Sequence, residues 1–210
     1  MPRLKKFDID PANVSLTGFA SNVTGATFTL TASSSGDGLA HQVSIRNDAA
    51  ADHSGKTVTL VGTDADGRAQ TEVVTGPGVS ATVESAKYFL TLTSATPSAT
   101  IGSDTFDIGW VDEVASITYP LNRHADTGAL CQVDFTGTID ITVQTTVDDI
   151  QTVSSDQESI PWVSTQDAGL VAITANDLGS LDAGATAMRV LVNSYTDTAE
   201  IQAYVSQASD

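Results

Sequence analysis

Lys56-Thr-Val-Thr-Leu-Val-Gly62, Asp64-Ala-Asp66-Gly67 and Ala69-Gln-Thr-Glu-Val-Val74 follow one another almost without a break. In the first segment apolar and polar residues alternate, which sets Val58 and Leu60 on one face of an extended chain. The last segment resumes the extended pattern. Between them, Asp64 to Gly67 supplies carboxylates that can hydrogen-bond nearby backbone and a glycine that accepts positive φ without steric cost. Two extended runs around such a turn predict an antiparallel β-hairpin.

The same pattern extends outward from the hairpin. Ala26-Thr-Phe-Thr-Leu-Thr-Ala32 alternates and predicts a strand with Phe28 and Leu30 facing inward, followed by a loop at Ser33–Gly38. Val43–Asn47, Val79–Val83, Tyr88–Thr93 and Ile101–Trp110 read as further strands. Beyond them come Ala129–Phe135 and Thr138–Val147, joined at Gly137. Ala187–Asn193 and Ala199–Ser206 read as a terminal strand pair, with Ile201, Ala203 and Val205 sharing one face. No segment sustains a 3.6-residue period, so at most a helical turn or two is expected. The fold class predicted is all-β, with two small antiparallel β-sandwich or barrel-like domains in tandem. The expected division is a basic N-terminal arm at 1–12, one domain at 13–111 and a second at 112–210, with the boundary near Trp110-Val-Asp-Glu113.

Composition supports that class. The chain has 210 residues, 40% of them hydrophobic, which is enough for packed cores and too much for wholesale disorder. Its 26 acidic and 9 basic residues give a net charge of −17. Such a surface repels phosphate backbones and anionic lipid, so no nucleic acid or membrane partner is expected. Three of the nine basic residues, Arg3, Lys5 and Lys6, lie in the first six positions. They are the candidate partner-binding residues, as a tether to an acidic surface. No apolar signal region follows Lys6 and no run approaches a membrane span, so synthesis in the cytoplasm without export by a standard signal is expected.

Catalytic and metal chemistry finds little footing. The lone cysteine, Cys131, sits in the apolar run Ala129-Leu-Cys-Gln-Val133 and reads as a buried structural thiol. His41, His53 and His124 have no metal-ligand spacing and read as surface or turn residues. Asp64-Ala-Asp66-Gly67 resembles the start of a calcium loop, but Thr75 stands where the bidentate glutamate belongs, and the hairpin accounts for the same residues. Asp148 and Asp149 read as a charged strand end, and Trp110 and Trp162 as core or interface anchors. No nucleophile elbow, phosphate loop or dinucleotide fingerprint occurs. The expectation is a protein that is not an enzyme and binds no cofactor or metal.

Two stretches carry a family likeness. Val43-Ser-Ile-Arg-Asn47 with Ser54-Gly-Lys-Thr-Val-Thr-Leu-Val-Gly-Thr-Asp-Ala-Asp-Gly-Arg-Ala-Gln-Thr-Glu72 resembles a sandwich module of tailed-phage structural proteins. Phe135-Thr-Gly-Thr-Ile-Asp-Ile-Thr-Val-Gln-Thr-Thr-Val-Asp-Asp-Ile150, with Ala187-Met-Arg-Val190 and Ala203-Tyr-Val-Ser-Gln-Ala208, looks like a C-terminal β-domain of similar proteins. Together they cover about a third of the chain, and they consist of strand and turn residues with no catalytic group among them. The resemblance implies a virion component, and among these a capsid decoration (cement) protein on the outer surface of the capsid. Its implied partners are the major capsid protein and further copies of itself, as a homo-oligomer, often a trimer. A tail or connector component, or a receptor-binding adhesin-like module, uses the same building blocks. A depolymerase would need a catalytic constellation.

Overall fold

The computed structural model describes residues 3–121, 129–150, 156–196 and 198–207. The strands are β1 (Arg3–Ile9), β2 (Ser15–Val23), β3 (Ala40–Asn47), β4 (Thr57–Thr63), β5 (Ala69–Thr75), β6 (Thr82–Phe89), β7 (Thr91–Pro97), β8 (Phe106–Ala115), β9 (Tyr119–Pro120), β10 (Leu130–Thr136), β11 (Ile139–Thr146), β12 (Val163–Ser164), β13 (Asp177–Ser180), β14 (Ala187–Tyr195) and β15 (Glu200–Gln207). Single 3-10 turns at Gln157–Ser159 and Ala168–Leu170 are the helical content of the described residues. The protein is all-β with antiparallel sheets. The chain divides into two compact units, Ala12–Val111 and Met1–Pro11 with Asp112–Asp210.

In the Ala12–Val111 unit, β2, β8, β3 and β6 form one sheet and β5, β4 and β7 another. The hairpin is the β4–β5 pair, with Thr63 opposite Ala69 and Thr57 opposite Thr75. Its turn is made as the residues predict. The Asp64 carboxylate accepts from the N–H groups of Asp66 and Arg68, and Gly67 takes φ 78°. Alternation places Val58 and Leu60 in the core, beside Ile45, Phe89, Leu92, Phe106 and Ile108. A single residue, Leu90, separates β6 from β7, so the chain passes there from one sheet to the other.

Local details in this unit differ from the sequence reading. Ala26–Ala32 forms no strand, although Phe28 is buried and Leu30 packs against the core. The N–H groups of Thr31 and Ala32 both donate to the Phe19 carbonyl, outside any ladder. The strand lies upstream, at β2. Its register against β8 shifts twice, which breaks the period-two pattern that would have announced it.

In the second unit, β1, β15, β10 and β13 form one sheet, in that order. β12, β11 and β14 form the other, and β9 and the last residues of β8 pair along β14. Ile139, Ile141, Val143, Val190, Val192 and Ile201 are among its buried residues. The expected terminal strand pair is not a pair: β14 bonds to β11, while β15 bonds to β1 and β10. The chain changes sheets from β10 to β11, from β12 to β13, from β13 to β14 and from β14 to β15, so apolar faces from both sheets meet. Gly137, at φ 81°, makes the crossing from β10 to β11, where an added Cβ would stand 2.9 Å from the Ala199 Cα.

Segment 1–12, read as a basic arm, is largely a strand of this unit. Arg3–Ile9 pair residue by residue with Gln207–Ile201. Ile9 is buried and the Phe7 ring meets Tyr119 edge-on at 4.8 Å. The lysines masked an apolar periodicity at Phe7 and Ile9 that binds the segment to the unit.

Close backbone approach supplies a test. A Cβ on Gly109 would stand 1.9 Å from the Ser15 carbonyl oxygen, where β2 and β8 meet. Gly109→Ala is expected to lower stability by about 3 kcal/mol, read as a lower urea midpoint at unchanged slope. An unaltered midpoint would contradict this packing.

Candidate interaction surface

The ionisable groups that could carry chemistry are largely engaged in the fold. His41 and His53 are buried, at 1% and 4% exposure, not on the surface as the loop-like flanks suggested. On β3, His41 shares the inward parity of Val43 and Ile45. Its Nε2 lies 2.7 Å from Asp37 and its Nδ1 3.2 Å from the Val111 carbonyl. Asp37 also accepts from the Ala12 N–H, the Leu39 N–H and the Ser35 hydroxyl. Burial works to raise the Asp37 carboxyl, but the hydrogen bonds from His41, Ala12 and Ser35 outweigh it and hold the group well below the usual carboxylate range. The carboxylate thus ties the 35–39 loop, β3 and the start of the unit together.

His53 performs a similar task among the loops. Nε2 lies 2.9 Å from Asp104, Nδ1 lies 3.0 Å from the Lys56 ammonium, and Phe106 meets the ring edge-on. Lys56 also donates to the Thr100 carbonyl. Two segments that are distant in sequence, 53–56 and 100–106, are joined around one imidazole. His124 lies outside the described residues.

In the second unit the buried cation is Arg189 on β14. It donates to Gln144, Gln157 and Glu158, and its guanidinium lies 4.9 Å from the centre of the Trp162 ring. Trp162 is half-buried over this cation, and its indole N–H donates to the Gln157 carbonyl. Trp110 is a core residue, as expected, with its indole N–H bonded to the Asn13 carbonyl. Cys131 is buried, and desolvation pushes its thiol up to about 12, far from a reactive thiolate. Among the described residues no three His, Cys, Asp or Glu side chains gather to hold a metal ion. No helix among them is long and apolar enough to cross a membrane.

Exposed large apolar side chains among the described residues are Leu4, Val14, Val73, Val79, Ile117, Leu130, Val147, Val163 and Leu178, and the three leucines share one sheet face. On the outward face of the β1-β15-β10-β13 sheet, Leu4, Ser206, Leu130 and Ser180 form one cross-strand row. Lys6, Tyr204, Gln132 and Leu178 form the next. Leu4 is 69% exposed, Leu130 47% and Leu178 58%, and they are the exposed leucines among the described residues. Scattered exposed apolar side chains are normal, whereas clustering on one sheet face marks a contact surface. The third row is polar, with Asp8, Gln202 and Asp134. Sequence reading missed this surface because Leu4, Leu130 and Leu178 are far apart in the chain, and only the ladder brings them together.

The three candidate residues Arg3, Lys5 and Lys6 all lie on β1, an outer strand of this sheet. Arg3 opens the strand opposite Gln207. Lys5 and Lys6 are exposed and alternate between the two faces, so they do not form one cluster. Lys6 stands on the leucine face, 2.7 Å from Asp8 and 5.9 Å from the centre of the Tyr204 ring. The hydrogen bond to Asp8 holds its ammonium above the ordinary value.

No protein-family model matches the chain, and no curated protein matches it. Among solved structures, the chain aligns with the crystal structure of the major capsid protein P2 from bacteriophage PM2. The alignment covers 99% of this chain and 98% of that one, at 12% identity and a TM-score of 0.21. A superposition that loose does not define a shared fold and carries no functional argument.

The Asp37 node gives a pH prediction with a definite sign. A carboxyl whose folded value is depressed contributes stability above its unfolded value near 4, and that contribution is lost as pH falls through the folded value. Asp37→Asn is expected to cost about 3 kcal/mol at pH 7, because it breaks a buried pair. The gap between wild type and variant should narrow below about pH 4. Urea unfolding at pH 7 and pH 3 measures both, and equal gaps at the two pH values would count against the node.

Proposed function

We propose that the chain is a non-enzymatic structural protein of a tailed-phage particle, and that it decorates the outer surface of the capsid. The observation that carries the binding part of this reading is the gathering of Leu4, Leu130 and Leu178 on one sheet face beside Tyr204. The virion part rests on the likeness of the Ser54–Glu72 hairpin and the Phe135–Ile150 segment to modules of phage structural proteins. The commitment of His41, His53 and Arg189 to hydrogen bonds within the fold supports a role without catalysis.

The mechanism is mechanical. Copies bury apolar area against the shell and bridge neighbouring copies of the major capsid protein, which resists internal pressure from packed DNA. The leucine face is the docking surface, and β1, the strand at its border, carries Arg3, Lys5 and Lys6, of which Lys6 stands on this face and would meet a carboxylate of the shell. The strongly acidic remainder of the chain faces outward and keeps decorated particles apart.

Particles lacking the protein are expected to release their genome at lower temperature and lower salt than decorated ones, read by nuclease-sensitive DNA during heating. Adding back the wild-type chain should restore them. Leu130→Asp and Leu178→Asp should fold, by circular dichroism, yet fail to bind or protect. Equal robustness of bare particles would defeat the bracing mechanism, and full binding by both variants would move the docking surface elsewhere.

A further inference from the structure

β1 lies at one edge of its sheet. One side is fully paired with β15, and among the described residues no strand pairs with the other. An unpaired edge offers a row of backbone donors and acceptors to any extended segment that can lie against it. Natural proteins place lysines on such edges to repel indiscriminate partners. Arg3-Leu-Lys-Lys-Phe-Asp-Ile-Asp10 does this in a particular order, with its basic residues in the first half and its acidic ones, Asp8 and Asp10, in the second.

We propose that this edge pairs with the β1 edge of a second copy of the chain, antiparallel, about a two-fold axis at Phe7. A two-fold contact presents the same segment from both sides, so its chemistry must be self-complementary. A strand that runs from basic to acidic is self-complementary when reversed. The alternation of side chains limits the registers. In a continuous sheet, paired residues share a face, and two-fold symmetry keeps each residue on the face of its own mate. Partners must therefore have the same parity.

Among the registers centred within β1, charge selects one. Centring on Lys6 opposes two lysines, and centring on Asp8 opposes two aspartates. Centring on Phe7 opposes Lys6 to the second copy's Asp8 twice, once on each side of the axis. It also sets Lys5 against Ile9, with no like charges facing within the strand. Each Lys6–Asp8 contact within one chain, now 2.7 Å long, would gain a counterpart across the axis. The lysines thus block the neighbouring registers and admit this one. For a chain of net charge −17, general self-repulsion makes its most basic segment the favourable place for copies to meet. The contact holds for the chain in solution, whether or not it decorates a capsid.

A charge-reversal cycle, read by sedimentation of the full-length protein over a concentration series, tests the register. The wild type is expected to sediment as a dimer that dissociates on dilution. Lys6→Asp and Asp8→Lys should each weaken self-association by about tenfold or more, because every change appears twice across the axis. The double variant Lys6→Asp with Asp8→Lys should recover the wild-type constant. Circular dichroism and thermal melting of each variant separate loss of pairing from loss of fold. If a reversal unfolds the unit, the neutral variants Lys6→Ser and Asp8→Ser replace it, with intermediate weakening expected. A wild type that stays monomeric at about 100 μM, or single reversals that leave the constant unchanged, would overturn the proposal. So would a double variant no tighter than the singles.

Discussion

Each strand of this chain that alternates has one apolar face, and a sheet built from such strands must have that face covered. This constraint organises both units. In the Ala12–Val111 unit the chain passes between sheets at Leu90, and in the other it does so at Gly137 and again between β14 and β15. Each passage carries the next apolar stripe across to the facing sheet. Phe89 and Leu92, on either side of Leu90, are both fully buried in one core. Hydrophobic burial of this kind is the main favourable term, and the hydrogen-bonded ladders prevent loss of that gain through unpaired backbone.

Strand identity was legible because it is written locally. Val58 and Leu60, or Ile201, Ala203 and Val205, announce a buried face through period-two spacing alone. Partnership is not local. Ala187–Asn193 and Ala199–Ser206 are neighbours in the chain and look like a hairpin, yet they belong to different sheets. Alternation reports which face is buried and says nothing about which strand lies alongside. Irregularity hid β2, whose register shifts break the period, and charge hid β1, whose lysines outweighed Phe7 and Ile9 in the reading. Ala26–Ala32 shows the converse, a regular alternation that buries Phe28 without joining a ladder.

The polar interior and the candidate surface were less legible still, for the same reason. His41 could have been placed inside by extending the parity of Val43 and Ile45 back along β3. His53 could not, because its partner Asp104 arrives from a loop far along the chain. These pairs join segments that the sheets leave untied, and breaking one strands a buried partner. The leucine face arises the same way, from three strands whose register sets Leu4 and Leu130 in one row and Leu178 in the next. Arg3, Lys5 and Lys6 were visible from the start as charge. Their place on an outer strand, with Lys5 and Lys6 alternating between its faces, needed the ladder.

The proposed role as a capsid decoration protein rests on Leu4, Leu130 and Leu178 gathered on one sheet face and on phage-like strand and turn motifs in a chain of net charge −17. The measurement that tests this most directly is the number of copies in a purified particle, by quantitative mass spectrometry against the major capsid protein. A decoration protein is expected at on the order of hundreds of copies, in fixed ratio to the shell, because it occupies every equivalent symmetry position. A count of about six or twelve would assign the chain to the tail or connector instead. Absence from the particle would contradict a virion role altogether.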